Sequence, residues 1–252
     1  MTTARALATV ALGLVLTGCG QGDGPASDAP EGTRWVGSGR VVVAVPDWWT
    51  TGETQCLEPV EDTVYFDSGA LTDCADEPAP SEVRAASTLA VLESGHGYGE
   101  HLLTRMEPAG EVDGREVLEL DGCDGWFPGV CRRVLAVPSE GVVLAITVAD
   151  AADGDYDEIR DSLRVLPEGQ TTVPLDVDGW TPTWGAEPRA AHALVRTLER
   201  AGLRVEVVEV EPSARDDAGS GTTLPSGSLL DVEPALGSVI DEGGTVTVSV
   251  LA

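Results

Sequence analysis

The first side chain with distinctive chemistry is Cys19, a thiol that follows an apolar run from Ala6 to Leu16. Arg5 precedes this run as the only charged side chain in residues 1–18. A charged start, a short apolar segment and small residues before a cleavage point are typical of an export signal. The run is too short to cross a bilayer as a helix, which takes about 20 apolar residues. We therefore expect residues 1–18 to be a signal peptide.

The residues that precede Cys19 indicate what happens to its thiol. Leu16-Thr17-Gly18-Cys19 resembles the lipobox of bacterial lipoproteins, in which the chain is cut before the cysteine. The resemblance implies a covalent lipid, such as palmitate, on Cys19 and attachment to the outer face of the cell membrane. Two or more acyl chains anchor a protein nearly irreversibly, at about 0.8 kcal/mol per buried methylene. The alternative is an ordinary signal peptide with an incidental cysteine.

Four further cysteines would enter an oxidising compartment, where thiols pair. They are Cys56, Cys74, Cys123 and Cys131. Four cysteines allow three pairings, and short sequence separations favour Cys56–Cys74 together with Cys123–Cys131. Each disulfide would stabilise the fold by about 2–4 kcal/mol. Zinc ligation is the alternative, although the sequence contains no Cys-x-x-Cys pair.

Charge excludes several classes of protein. The chain has 43 acidic residues, and all 15 of its Lys+Arg residues are arginines, which gives a formal net charge of −28. Such an acidic surface repels nucleic acid, so we expect no nucleic-acid partner. Without lysine there is no P-loop lysine, no Schiff base and no Ser-x-x-Lys pair. The lack of lysine and the abundance of Ala, Val and Gly indicate a GC-rich bacterial source, and we expect an actinobacterium.

Motifs for catalysis and metal binding are weak. His96 and His101 flank a glycine-rich segment, SGHGYGEH, that we interpret as a loop with incidental histidines. The sequence has no Gly-x-Ser-x-Gly nucleophile motif. A pair of acids acting as in glycosidases has no local spacing signature, so this chemistry stays open. We expect no catalytic residue, no metal site and no cofactor other than the lipid on Cys19.

A basic stripe is the most specific surface feature. Residues 188–201 carry apolar side chains at helical spacing, and three arginines fall on the opposite face, within about 40° of one another at 100° per residue. These are Arg189, Arg196 and Arg200. The stripe would bind carboxylates of wall peptides or an acidic protein patch. The alternative is a solvated face that pairs with acids of the same chain.

Two tryptophan pairs could also contact a ligand. Trp180 and Trp184 precede the predicted helix, and we treat them as candidates for stacking on sugar rings or for core packing. Trp48 and Trp49 follow a predicted strand, so their rings should point to opposite faces, one buried and one exposed.

The chain divides into a tether and two folded parts. Residues 19–33 are rich in Gly, Pro, Asp and Ser and are predicted to form a flexible, lipidated tether. Residues 34–167 are predicted to form an α+β domain with a mostly antiparallel sheet and one or two helices. Its predicted strands span residues 40–45, 63–66, 87–92, 116–120, 133–137, 142–148 and 164–166, with a helix over 155–163. The ending YDEIRDSLRVLP resembles the closing helix and strand of small Mog1/PsbP-like envelope domains.

Residues 168–252 are predicted to form a short linker, over 168–176, and a second domain. Its helix over 188–201 is followed by strands over 203–210, 227–232 and 245–250. The segment LPSGSLLDVEPALGSVIDEGGTVTVSV resembles the second half of a PASTA domain, and Ala201-Gly202-Leu203 matches the helix-ending Ala-Gly-Leu of that family. Val173-Pro174 with Gly179 resembles its opening, with one extra residue. The resemblance implies one helix packed on a three-stranded sheet.

PASTA domains occur outside the membrane on wall-synthesis transpeptidases and receptor kinases, where many are thought to contact peptidoglycan. The resemblance therefore implies a non-catalytic, lipid-anchored envelope protein whose C-terminal domain binds peptidoglycan or a wall-associated partner. The alternative is that residues 34–167 bind a small ligand or hydrolyse it, with the C-terminal domain as a spacer or targeting unit.

Overall fold

The computed structural model of the chain describes residues 28–55, 58–68, 80–95, 97–120, 122–123, 130–149, 153–211 and 224–252. The signal segment, Cys19, most of the expected tether, Cys56 and Cys74 lie outside the described residues. None of the helices in these ranges is both long enough and apolar enough to span a bilayer.

Strands dominate the described part of the chain, which has the mixed α+β character expected from the sequence. The strands are β1 (Thr33–Ser38), β2 (Val41–Pro46), β3 (Thr50–Thr51), β4 (Thr54–Gln55), β5 (Glu58–Pro59), β6 (Thr63–Phe66), β7 (Thr88–Glu93), β8 (Glu107–Val112), β9 (Arg115–Glu119), β10 (Arg132–Val137), β11 (Val142–Thr147), β12 (Arg164–Val165), β13 (Gln170–Thr172), β14 (Arg204–Val210), β15 (Leu229–Glu233), β16 (Val239–Asp241) and β17 (Thr245–Leu251). The helices are α1 (Pro80–Ala85), α2 (Gly97–Leu103), α3 (Asp153–Asp161) and α4 (Pro188–Arg200).

The central sheet has seven strands in the order β3-β6-β7-β11-β10-β9-β8. Its first two pairings are parallel and the rest are antiparallel. All six residues of β11, VVLAIT, are buried, because both faces of the sheet are covered. Leu144 and Ile146 pack in a cluster that includes Ile159 of α3, whereas Val143 lies in a second cluster with Leu102 of α2. Successive side chains of β11 point to opposite faces of the sheet, so this one strand contributes to two apolar clusters.

A second sheet, in the order β1-β2-β12, is antiparallel. Val43 of β2 belongs to the large apolar cluster that contains Ile159. On the opposite face, Val42 and Ala44 pack with Trp35 and Leu166. The continuous apolar run in β2 is thus explained by burial on both faces.

The C-terminal part places α4 against a three-stranded sheet in the order β14-β17-β15. β14 and β17 are parallel, whereas β15 and β17 are antiparallel. Leu194 and Leu198 of α4 pack in the same apolar cluster as Val246 and Val248 of β17. The predicted helix and the last predicted strand are observed within one residue of their expected bounds.

The segment expected to be a linker is folded. It contains β13, which pairs with β16, and Val173 and Leu175 beyond it are buried. The N–H of Gly37 in β1 donates to the carbonyl of Gly237 at 3.0 Å. The large apolar cluster includes residues of both parts, from Val36 to Val250, so they share a core.

Three other expectations differ from the structure. The glycine-rich segment interpreted as a loop forms α2 over Gly97–Leu103, with Leu102 fully buried. β8 was not predicted because its residues, EPAGEV, show no apolar alternation, and all but the last are exposed on an edge strand. The first strand begins at Thr33, inside the expected tether.

We predict that Thr181→Val destabilises the protein by about 1–3 kcal/mol, the cost of an unsatisfied buried donor. Thr181 is buried, and its Oγ1 accepts the N–H of Phe66 in β6 at 2.8 Å. Urea unfolding of the full chain measures this cost. Thr181→Ser is the matched control, because it keeps the hydroxyl and should cost less. Equal costs for the two variants would contradict the role of this hydrogen bond.

Candidate functional site

The helix α4, which carries the predicted arginine stripe, has defined ends. Pro188 occupies its first turn, where the missing N–H costs nothing. At the other end, Gly202 has a φ of 81° and donates its N–H to the carbonyl of Glu199. The N–H of Leu203 donates to the carbonyl of Leu198 at 3.1 Å, which completes a Schellman motif.

The arginines lie on the exposed side of this helix. Leu194 and Leu198 are fully buried, whereas Arg189, Arg196 and Arg200 are all exposed. The Arg200 guanidinium lies back along the helix, since Nη2 donates to Oγ1 of Thr197 at 2.8 Å and Nε to the carbonyl of Arg196 at 3.3 Å. Arg200 is therefore partly occupied by its own helix.

A tight turn positions Trp180 near the start of α4. Asp178 and Gly179 both have positive φ values, 55° and 93°, as the central residues of a type I′ turn do. The N–H of Val177 donates to the carbonyl of Trp180 at 2.8 Å, and Oδ1 of Asp176 accepts the N–H of Gly179 at 2.7 Å. Trp180 thus follows a constrained segment rather than a free loop.

Trp180 and two of the three arginines line one open groove of about 430 Å³, which we call the α4 groove. Its lining residues are Asp178, Trp180, Glu187, Arg189, Ala190, Ala193 and Arg196. Arg200 and Trp184 are not among them, and Trp184 is 50 % exposed elsewhere on the surface. Of the five predicted binding residues, three therefore lie together in the α4 groove, and Arg200 and Trp184 lie outside it.

The groove combines charges of both signs beside an aromatic ring. The guanidinium groups of Arg189 and Arg196 can each bind a carboxylate through two parallel hydrogen bonds. The acids Asp178 and Glu187 line the same space and can accept hydrogen bonds from an amine or amide. Neither acid was predicted as a site residue, and the Asp-Gly turn signal at Asp178 is the one sequence feature that points to either of them.

The remaining predicted residues have separate positions. Cys123 and Cys131 form a disulfide with Cα atoms 4.9 Å apart, which confirms that pairing. Trp48 is 66 % exposed and Trp49 is 4 % exposed, as expected for rings on opposite faces. His101 is exposed on α2, where its ring stacks on Tyr98. Among the described residues, no three His, Cys, Asp or Glu side chains are grouped as metal ligands would be.

Arg132 and Asp67 form a buried ion pair that was not predicted from the sequence. Arg132 has no exposed surface, and its Nη1 donates to Oδ2 of Asp67 at 2.9 Å. Its guanidinium also lies over the ring of Tyr98, 5.2 Å from the centroid. Burial lowers the pKa of Arg132, but Tyr65, Asp67 and Tyr98, together with the hydrogen bond to Asp67, raise it by more, so the guanidinium stays charged. This pair holds the start of β10 to the residue that follows β6.

Two tyrosines are held in their neutral form. Burial raises the pKa of Tyr65, and the charge of Asp67 raises it further. Burial also raises the pKa of Tyr156, as do the charge of Glu119 and the hydrogen bond that the phenol donates to Oε1 of Glu119 at 3.0 Å.

Comparison of the chain with protein-family models, with curated proteins and with solved structures found no match.

We predict that Asp67→Ala destabilises the protein by about 3–5 kcal/mol, because it leaves the buried charge of Arg132 without its carboxylate. Glu140→Ala is the control. Glu140 pairs with Arg115 at 2.9 Å, but the Arg115 side chain is 39 % exposed, so its loss should cost at most about 1 kcal/mol. Denaturant unfolding measures both, and similar costs would contradict the importance of burial.

We also predict an alkaline loss of stability. The folded chain keeps the protons of Tyr65 and Tyr156 at a pH where unfolded tyrosines, with a pKa of about 10, lose theirs. The folded state then binds more protons, so the free energy of unfolding falls as the pH rises above about 10. Between pH 8 and pH 11, the free energy of unfolding, measured with denaturant, should fall more steeply with pH for the natural chain than for Tyr156→Phe. The same pH dependence in both proteins would contradict a raised pKa of Tyr156 in the folded state.

Proposed function

We propose that the chain is a non-catalytic lipoprotein at the outer face of the cell membrane, whose PASTA-like C-terminal part binds peptidoglycan or a wall-associated partner. The observation that carries this proposal is the α4 groove, in which Trp180 lies with Arg189 and Arg196. A protein anchored in this way would lie among the proteins and lipids of the envelope, and the cell wall would be the largest structure within its reach.

The chemistry of the α4 groove fits the stem peptides of the wall. These peptides end in carboxylates, which the two guanidinium groups would bind as bidentate pairs. They also contain amines and amides, which suit the carboxylates of Asp178 and Glu187. The exposed part of the Trp180 ring offers a flat surface on which a sugar ring of the glycan would stack.

The arrangement of the C-terminal part supports the PASTA-like interpretation. One helix packs on a three-stranded sheet, as the sequence resemblance implies. The helix ends at Ala201-Gly202-Leu203 through a Schellman motif, which gives the matched Ala-Gly-Leu a structural reason.

The anchor would keep the folded part near the membrane. From Cys19 to the start of β1 at Thr33, a flexible coil of this length would extend on the order of 20 Å, at about 5–6 Å × √n. The α4 groove would then meet the part of the wall closest to the membrane.

Co-sedimentation with purified peptidoglycan tests this function, with the full chain in a neutral detergent. We expect the natural chain to be retained, and the double variant Arg189→Ala/Arg196→Ala to lose affinity at least tenfold, because hydrogen bonds to charged groups contribute about 1.5–3 kcal/mol each. Trp180→Ala should weaken retention less.

Two variants outside the groove serve as controls. Arg200→Ala removes a charge from the same helix, and Trp184→Ala removes an exposed ring, yet neither residue lines the groove. Both should be retained as well as the natural chain. Equal retention of the double variant would place binding elsewhere, and no retention of the natural chain would contradict wall binding.

A further inference from the structure

A larger concavity of about 830 Å³ lies in the N-terminal part, and we call it the tryptophan cleft. Its aromatic lining is Trp35 from β1 together with Trp48 and Trp49, which follow β2. Glu158 and Ile159 of α3 contribute another wall. The volume falls within the range of about 300–1,000 Å³ that small-ligand sites occupy.

The aromatic wall is held in place from behind. Trp49 is 4 % exposed, and its carbonyl accepts a hydrogen bond from Nη2 of Arg34 at 3.0 Å. Trp48 meets Trp49 edge to face, with centroids 6.5 Å apart, and remains 66 % exposed. The cleft therefore has a fixed inner ring and an accessible outer ring.

The charges at the cleft are mainly negative. The lining includes four carboxylates and one guanidinium, which are Glu31, Asp62, Glu158, Asp161 and Arg164. Asp62 accepts the N–H of Ser87, and Asp161 pairs with Arg160 at 3.3 Å. We therefore assign contact with a ligand to Glu31 and Glu158.

The hydroxyl groups of the cleft are engaged within the chain. Ser162 accepts the N–H of Ala44 and donates to the carbonyl of Ile159. Ser87 Oγ accepts the N–H of Ala149 at 3.1 Å, and Thr33 Oγ1 donates to the carbonyl of Pro30 at 2.7 Å. What the cleft offers a ligand is chiefly negative charge, hydrogen-bond acceptors and aromatic surface.

One wall of the cleft already binds a cation from the chain itself. The guanidinium of Arg164 lies 4.9 Å from the centroid of the Trp35 ring. This distance is within the range of about 6 Å over which a cation is attracted to an aromatic face. The same attraction is available at the exposed Trp48.

From these observations we infer that the tryptophan cleft binds a small protonated amine with an apolar body. The ammonium group donates hydrogen bonds to the carboxylates of Glu31 and Glu158, and the apolar body packs against Trp48. Anions are repelled by the carboxylates. The carboxylates can also accept hydrogen bonds from the hydroxyl groups of a neutral sugar, but the attraction of opposite charge is gained only with a cation. This inference is independent of the wall-binding proposal, which concerns the α4 groove.

Isothermal titration calorimetry of the full chain at pH 7 tests the inference with three probes of similar size. Phenethylamine is a cation, 2-phenylethanol is neutral and 3-phenylpropionate is an anion. We expect phenethylamine to bind at least tenfold more tightly than 2-phenylethanol, and 3-phenylpropionate more weakly than both. Added salt should weaken the binding of phenethylamine, since its charge is partly exposed.

Matched variants locate the site. Trp48→Ala and Glu158→Gln should each raise the Kd of phenethylamine by about three- to tenfold, because the first removes apolar contact with the ligand and the second a charge-assisted hydrogen bond. Trp184→Ala and Glu199→Gln remove an exposed ring and an exposed charge that do not line the cleft, and should leave the Kd unchanged. The α4-groove variant Arg189→Ala/Arg196→Ala should also bind phenethylamine normally.

Three results would overturn the inference. Equal binding of phenethylamine and 2-phenylethanol would mean that the cleft selects apolar bodies and not charge. Binding of cellobiose with no binding of phenethylamine would make it a sugar site. Binding of phenethylamine that survives both Trp48→Ala and Glu158→Gln would place the amine elsewhere. The first and third results do not bear on retention by peptidoglycan. If the cleft were a sugar site, the double variant Arg189→Ala/Arg196→Ala would still show whether the α4 groove retains peptidoglycan, so the two proposals can be tested separately.

Discussion

Burial of β2 on both faces is the constraint on which the rest of the fold depends. A strand of consecutive apolar residues needs a covering layer on each side. On one side, Val43 joins the cluster that the central sheet and α3 complete. On the other side, Val42 packs with Trp35 and Leu166, and Val239 of β16 lies against them. The C-terminal part thus helps to cover the N-terminal sheet, and the paired strands β13 and β16 follow from that requirement.

The elements that could be predicted from sequence are those whose own side chains are buried in a regular pattern. β10, β11 and α4 have such patterns, and they begin and end within about a residue of their expected bounds. β8 lacks a pattern because it is an edge strand whose residues before Val112 are all exposed, and it is held by its hydrogen bonds to β9 and by the packing of Val112. α2 was not predicted because glycine is a poor helix former. The helix forms because the packing of Leu102 in the second cluster outweighs that propensity.

The candidate sites show the same division between local and distant information. Helical spacing was sufficient to place Arg189 and Arg196 on one face, because that relation is fixed within a single helix. It could not tell that Trp180 lies beside them and Trp184 does not, since this depends on the turn at Asp178 and Gly179. The tryptophan cleft could not be predicted from the sequence, because its walls come from β1, the end of β2 and α3, which meet only after folding.

The formal net charge of −28 has opposite consequences for the two concavities. A long-range negative field slows the approach of anions and favours that of cations, within a Debye length of about 8 Å at physiological salt. The proposed binding of carboxylates in the α4 groove would therefore depend on contact with its two guanidinium groups, because it takes place against the field of the whole chain. Attachment to the membrane would compensate, because a tethered binder meets a fixed wall at high effective concentration and needs little intrinsic affinity. The same field would favour the approach of a cation to the tryptophan cleft, so a free amine at low concentration is the kind of ligand that suits this cleft.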